Sequence, residues 1–200
     1  MLIIPANTLA AEPSGNENGI FGFGLSTGYY SVTNLVSNVG VVSTDVTGVG
    51  TAREGPAACA YGYDKGIFAY GSTSVSNLVS NTGVVATDVT GVGTARYTLG
   101  ACGYGYDKGI FAYAYTGSVY TSVTNLVSNI GVVGTDVTGV GTARGDSPGT
   151  QYGGDKGIFG YGLVPSVVSM TNLVSNVGVV ATDTTGVGTA RYSPSACSYN

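Results

Sequence analysis

Histidine and tryptophan are absent from this 200-residue sequence, and charged residues make up only 9% of it. Ordinary soluble domains contain about a quarter charged residues. Without histidine, a serine or cysteine nucleophile lacks its usual general base, and the commonest metal ligand is missing as well. We therefore expect a protein that is not an enzyme and that needs no cofactor and no metal.

Positive charge, long apolar runs and paired cysteines are also scarce. Seven basic residues and an acidic pI of about 4.4 leave no patch for nucleic acid. No apolar stretch reaches the length that crosses a bilayer, so membrane insertion is not expected. The opening Met1–Pro5 lacks the basic region of a secretory signal, and three cysteines argue against a closed disulfide framework. These features favour synthesis in the cytoplasm.

A fourfold internal repeat dominates what the sequence does contain. Gly-Ile-Phe, Asn-Leu-Val and Thr-Ala-Arg each recur four times, in the same order. They define an N-terminal segment over residues 1–18 and a repeat region over residues 19–200. The repeats span residues 19–53, 66–96, 109–144 and 157–191, with strand-like segments between and after them.

Each repeat reads as short β-type segments separated by turn residues, and the second repeat shows this most clearly. We predict tight turns at Asp64–Gly66 and Ser80–Gly83. The predicted strands A, B, C and D are Ala57–Tyr61, Ile67–Tyr70, Val75–Val79 and Val84–Thr87. Four strands in a repeat of 43 to 48 residues match the blade of a β-propeller.

The predicted fold is therefore an all-β, four-bladed β-propeller of four-stranded antiparallel blades, with a β-solenoid or an open blade array as the alternative. After Arg191, residues 192–199 repeat the strand A pattern, whereas Thr8–Pro13 before the first repeat has lost it. We expect the C-terminal strand to close the ring by completing the first blade. If it completes a blade of the next molecule, it becomes a polymerisation device.

The spacing within the repeats separates a constant frame from one variable loop. Asn to Arg is nineteen residues in all four repeats, whereas the interval from Gly-Ile-Phe to Asn-Leu-Val is 15, 11, 16 and 15 residues. Length variation is thus confined to the B–C loop, and variable loops on a rigid frame are a common place for binding. The predicted binding residues there are Tyr29, Tyr30, Tyr115, Tyr120 and Val164. Loop packing is the alternative role for them.

All seven basic residues occupy repeated positions, which indicates an architectural role. An aspartate precedes each repeat arginine by eight residues, so we predict one Asp–Arg pair per blade, within or between blades. These pairs are drawn from Asp45, Arg53, Asp88, Arg96, Asp136, Arg144, Asp183 and Arg191. Cys59, Cys102 and Cys197 share one repeat position, for which we expect small buried residues.

Two resemblances follow from these residues. Thr94-Ala95-Arg96, Ala101–Gly105 and Gly109–Tyr113 together resemble the kelch blade pattern, without its tryptophan. The opening Leu2–Leu9 and the repeated Asn-Leu-Val-Ser-Asn…Thr-Ala-Arg resemble structural repeat proteins encoded by tailed phages. The second resemblance implies a virion structural or adhesion module of a tail or fibre, found in the virion or outside the cell.

Its expected partners are other copies, virion proteins and a host surface glycan. The alternative is a free lectin-like propeller that binds carbohydrate.

Overall fold

The chain folds into eleven β-strands without a helix, in a computed structural model that describes residues 17–199. No helix in this range is long and apolar enough to cross a membrane. The strands are β1 (Gly19–Leu25), β2 (Tyr29–Val36), β3 (Ala57–Tyr61), β4 (Lys65–Ala69), β5 (Ser76–Val79), β6 (Gly100–Tyr104), β7 (Lys108–Tyr115), β8 (Tyr120–Val127), β9 (Gly149–Tyr152), β10 (Lys156–Val164) and β11 (Ser166–Val174).

These strands form four small antiparallel sheets, one for each repeat. The first sheet pairs β1 with β2, and the other three have the orders β3-β4-β5, β6-β7-β8 and β9-β10-β11. The all-β class is thus confirmed. Strand A of the second repeat has the bounds predicted for it, Ala57–Tyr61. The first sheet is the exception because it contains no strand A within the described residues; the degenerate stretch Thr8–Pro13 lies outside them.

The predicted fourth strand of each repeat is reduced to isolated bridges. In the second repeat only Val85 and Val89 bridge to β5, opposite Val79 and Ser76. Four residues of β5 thus face five residues of the outer segment, which is the count of a β-bulge. The Asn77 side chain fills the gap by donating to the carbonyl of Ala86, so the ladder cannot run on regularly. The second, third and fourth sheets therefore have three strands each and a bridged outer segment, whereas the first has two strands within the described residues.

The first turn of the repeat also differs from the prediction. In the second repeat the loop is Gly62–Asp64, and Lys65 already pairs with Tyr61, whereas the prediction placed the turn at Asp64–Gly66. Gly62 and Tyr63 take positive φ angles of 57° and 70°, the backbone region that lets so short a loop reverse the chain. Strand β4 consequently begins two residues earlier than strand B was predicted to begin.

Successive sheets stack on one another, and the core lies between them. Strand β3 packs against β6 and β7, and β6 packs against β9 and β10. Three apolar clusters fill the spaces between sheets one and two, two and three, and three and four. Because each sheet is stabilised by its neighbours, the molecule has the nearest-neighbour energetics of a repeat protein.

The two ends of the stack do not meet within residues 17–199. No hydrogen bond in this range joins the first repeat to the fourth. Residues 192–199 form no strand, although Ser193 is tied to the fourth repeat by donating to the Asp146 carbonyl. Ring closure by the C-terminal strand therefore stays a prediction, and the described residues form an open stack of four sheets.

Candidate functional site

The most elaborate side-chain constellation of the molecule is the contact between successive repeats, which we call the repeat junction. Its centre is the arginine of Thr-Ala-Arg. Arg144 lies over the ring of Tyr113, 3.9 Å from the centroid, and is fully buried. Its Nη2 donates to Asn172 Oδ1 at 2.7 Å and its Nε to the Tyr161 carbonyl at 2.8 Å, both in the next repeat. One cation thus fastens two repeats together.

The aromatic platform is set by a β-bulge under three of the four arginines, and under Arg96 it is Tyr70, which directly follows β4. Phe23, Tyr113 and Tyr161 are the extra residues where the register of β1, β7 and β10 shifts. Each has a positive φ, which is rare for bulky residues and persists only where the surroundings hold it. Side chains of a strand normally point to alternate faces of the sheet, and the bulge breaks this alternation so that the ring points toward the next repeat. There Tyr113 meets Phe159 edge-on, with centroids 5.6 Å apart.

A carboxylate of the next repeat completes the junction by accepting hydrogen bonds from a threonine. Both Thr142 N and Thr142 Oγ1 donate to Asp183, which also accepts from Asn172. Burial by itself raises the pKa of Asp183, but the bonds from Thr142 and Asn172 outweigh it and hold this pKa below its ordinary value. The carboxylate therefore stays charged and joins the repeats at neutral pH.

The predicted Asp–Arg pairs lie between repeats wherever they form. Arg96 Nη1 is 3.8 Å from Asp136 Oδ1 and Arg144 Nη1 is 3.9 Å from Asp183 Oδ1. Each arginine therefore faces the aspartate of the following repeat, not the one eight residues before it. Arg53 and Asp88 hold the same positions at the first junction, where Asp88 accepts from Thr51 and Arg53 from the first repeat donates to Asn77.

The fourth repeat presents half of a junction without its complement, and we call this the donor half. It consists of Tyr161, Thr189 and Arg191. Arg191 lies 3.9 Å over the Tyr161 ring and donates to the Thr189 carbonyl, as the other three arginines do within their own repeats. Within residues 17–199 this is its one side-chain hydrogen bond, and Arg191 is exposed where Arg144 is fully buried.

The first repeat presents the other half, which we call the acceptor half. It consists of Phe21, Asn34 and Asp45. Phe21 is 64% exposed, whereas the equivalent Phe159 is completely buried. Asn34 already donates to Asp45, so the acceptor half has the internal arrangement of a complete junction. Neither Asp45 nor Asn34 receives an arginine or threonine within the described range. The two ends of the stack are thus complementary.

Beside the acceptor half, a cleft of about 800 Å³ opens between the first and second sheets. We call it the first-sheet cleft. It is lined by Gly19 and Ile20 of β1, by Ala58 and Cys59 of β3 and by Gly66 of β4. In the second to fourth repeats, strand A occupies the corresponding edge of the sheet. The cleft thus adjoins the edge of β1 that has no paired strand within residues 17–199.

The cysteines sharing one repeat position are placed against the next repeat. A Cβ added at Gly109 would lie 2.5 Å from Cys59 Sγ, and one added at Gly157 would lie 2.6 Å from Cys102 Sγ. These glycines make room for the sulfur atoms. Burial raises the pKa of both thiols, that of Cys102 to about 12. Cys197 is exposed, and all three thiols are free. No cluster of three metal-binding side chains occurs among residues 17–199.

The predicted binding residues lie on strand ends and not in loops. Tyr29 and Tyr30 belong to β2, Tyr115 ends β7, Tyr120 begins β8 and Val164 ends β10. The reason is that the longer B–C intervals extend the hairpin as paired strand, so only short connections such as residues 26–28 stay unpaired.

The structure brings two of these tyrosines together. The Tyr115 ring lies 5.0 Å from that of Tyr120 and 5.6 Å from that of Tyr97, with all three half-buried. Tyr30, 41% exposed, instead contacts Thr27 on its own hairpin. Val164 is half-buried at the end of the fourth sheet. The predicted residues thus do not form one site. Their role in binding stays a prediction.

Sequence reasoning missed the neutral partners of the arginine. The asparagine of Asn-Leu-Val and the threonine of Thr-Ala-Arg both repeat four times, and this regularity was the available signal. Their side chains bind the arginine and the aspartate of the junction. The aromatic platform was also missed, because the first repeat carries Phe23 where the others carry tyrosine.

In comparisons with known proteins, no family model matches the chain and no curated protein is significantly similar to it.

Proposed function

We propose that this chain is a non-enzymatic structural module of a virion, of the tail or fibre type, acting after cytoplasmic synthesis as one unit of a larger assembly. One observation carries the proposal: within residues 17–199 the repeat junction is used three times, and its two complementary halves are left open in the first and fourth repeats. A protein that assembles from identical copies needs a contact that stabilises each copy and two complementary surfaces that join one copy to the next. In this proposal the four sheets are propeller-type blades, and the C-terminal strand completes a first blade, either that of its own ring or that of a neighbouring copy.

The use of charge supports a structural role. All four arginines belong to the junction positions, and the three lysines pair with the aspartates of the A–B turns at 2.6–2.8 Å. No basic residue is left over to bind a charged substrate. A net charge of −4 over 200 residues also gives little repulsion between copies, which suits a protein packed against its own kind.

A surface contact of the assembly is proposed for the cluster of Tyr97, Tyr115 and Tyr120. Three tyrosine rings in contact offer apolar area with hydroxyl groups, which is the chemistry that glycan and protein surfaces bind. The cluster belongs to the third repeat, since the second repeat lacks the long hairpin. One such cluster among residues 17–199 suits adhesion through many copies better than a free lectin with four equivalent pockets.

Electron microscopy of the intact protein tests the proposal. We expect filaments or other particles much larger than one 20.0 kDa chain. Assembled particles should also bind host-surface glycans, and Tyr115→Ala should reduce that binding while particle size stays the same. Tyr152→Ala, an exposed tyrosine of β9 outside the cluster and outside the predicted binding residues, is the matched control. Isolated monomers that bind a soluble sugar would contradict the structural role and favour the lectin alternative.

A further inference from the structure

We propose that residues 195–199 of a second copy of this chain insert into the first-sheet cleft and become the missing strand A of the first repeat. This inference deepens the proposed structural role, because it names the partner and the site of contact. The proposed edge is that of β1, which within residues 17–199 has β2 on one side and no strand on the other. An unpaired edge accepts an added strand through backbone hydrogen bonds.

The repeat register fixes how the added strand lies. Cys197 follows Arg191 by six residues, as Cys59 follows Arg53 and Cys102 follows Arg96. In the second and third sheets the cysteine pairs with the isoleucine of Gly-Ile-Phe, and the same register places Cys197 opposite Ile20. Ser195 then faces Gly22, so the added segment runs antiparallel to β1.

Gly66 provides a seat for the Cys197 sulfur. At the equivalent Gly109 and Gly157, a cysteine sulfur of the preceding repeat lies within 2.6 Å of the position that a Cβ would take. At Gly66 the nearest atoms to that position belong to Val79 at 3.6 Å, and no sulfur is near. Gly66 also lines the cleft. The space beside Gly66 thus corresponds to the space that a cysteine sulfur occupies beside Gly109 and Gly157, but it contains no cysteine sulfur.

The same placement joins the donor half to the acceptor half. With Cys197 in the first-sheet cleft, Arg191 reaches Asn34 and Thr189 reaches Asp45 through the contacts that Arg144 and Thr142 make with Asn172 and Asp183. Phe21, now 64% exposed, would cover Tyr161 as Phe159 covers Tyr113. Insertion of residues 195–199 and joining of the donor half to the acceptor half therefore require the same relative position of the two copies.

A second copy fits better than the chain's own first repeat. Ser193 is bound to Asp146, so residues 195–199 leave directly from the fourth repeat and cannot reach far. The acceptor must lie against the fourth repeat, where residues 17–199 place no part of the first repeat in hydrogen-bond contact. Each copy offers one donor and one acceptor half, which makes the contact heterologous and able to propagate head to tail.

A pair of substitutions at the glycine seat tests the fit. Gly66→Ala should leave the monomer folded, because the new methyl group has room beside Val79. It should weaken self-association at least tenfold, since the methyl group takes the place of the Cys197 sulfur. Adding Cys197→Ala removes that sulfur and should restore association. The matched control is Gly134→Ala, whose Cβ has only an ordinary contact at 3.5 Å and lies outside both halves. Unchanged association of Gly66→Ala would overturn the inference.

A disulfide test identifies the occupant. In the Ile20→Cys variant under mild oxidation, Cys197, which the register places opposite residue 20, should form intermolecular disulfides, seen as a ladder of chain multiples on a non-reducing gel. Cys197→Ser in the same background should abolish the ladder. A monomeric band with both thiols consumed would mean closure within one chain and would overturn the choice of a second copy. Large particles without any disulfide would overturn the strand insertion yet leave the structural role standing, whereas monomers without any disulfide would contradict both.

Discussion

Replacing Arg144 by alanine measures how much one repeat junction contributes to stability. The buried guanidinium donates to Asn172, to the Tyr161 carbonyl and to the Thr142 carbonyl, and it covers the Tyr113 ring. A hydrogen bond to a charged group contributes about 1.5–3 kcal/mol, and a desolvated cation–π contact about 2 kcal/mol. Burial of the charge offsets part of this sum. We expect Arg144→Ala to lower the free energy of unfolding by about 3–5 kcal/mol.

Arg191→Ala is the matched control, since Arg191 has the same place in its repeat but is exposed and, among residues 17–199, binds only its own repeat. Its loss should stay below about 1 kcal/mol in dilute, unassembled protein. Arg96→Ala should fall between the two, because the buried Arg96 Nε has no hydrogen-bond partner. Urea unfolding followed by circular dichroism gives all three values. Equal losses for Arg144→Ala and Arg191→Ala would refute the assignment of stability to the junction.

Three further changes probe the same stack. Phe159→Ala should cost about 3–5 kcal/mol in urea unfolding because its ring is fully buried, whereas Phe21→Ala should stay within about 0.5 kcal/mol; similar costs would count against an open first repeat. In dilute protein Cys197 should react with a thiol reagent at mildly alkaline pH while Cys102, with a pKa of about 12, should not; rapid reaction of Cys102 would contradict its burial. The lowered pKa of Asp183 contributes stability that is complete above the ordinary carboxyl pKa and lost as the pH falls through the folded value. Unfolding measured from about pH 6 to pH 3 should therefore show a drop below about pH 4 that Asp183→Asn reduces; an unaltered profile in Asp183→Asn would contradict it.

The sequence predicted correctly a strand whose bounds are set by turn residues next to it in the chain. Strand A of the second repeat is bounded by turn residues on both sides, so its bounds over Ala57–Tyr61 could be read directly. The outer segment could not be read in this way. Val84–Thr87 has the composition of a strand, but the Asn77 amide donates to the Ala86 carbonyl, which a regular ladder would pair with backbone. A side chain competing with the backbone leaves no mark in the β-propensity of the segment.

The junction shows why the candidate site was only half predicted. The constant spacing of aspartate and arginine indicated a pair, but spacing alone could not tell whether the partners belong to one repeat or to two. The stacking of the sheets determines which aspartate each arginine faces, and Arg144 faces Asp183 of the next repeat. The variable interval was likewise visible, yet paired strand absorbs it and carries Tyr115 and Tyr120 at strand ends.

The mass of the intact protein in solution, measured over a wide range of concentration, decides whether the donor half of one copy binds the acceptor half of another. We expect the wild-type mass to rise in multiples of the 20.0 kDa chain as concentration increases. Arg191→Ala, which removes the centre of the donor half without disturbing an internal junction, should stay monomeric at the same concentrations. A wild-type protein that holds the mass of one chain at every concentration would contradict the account.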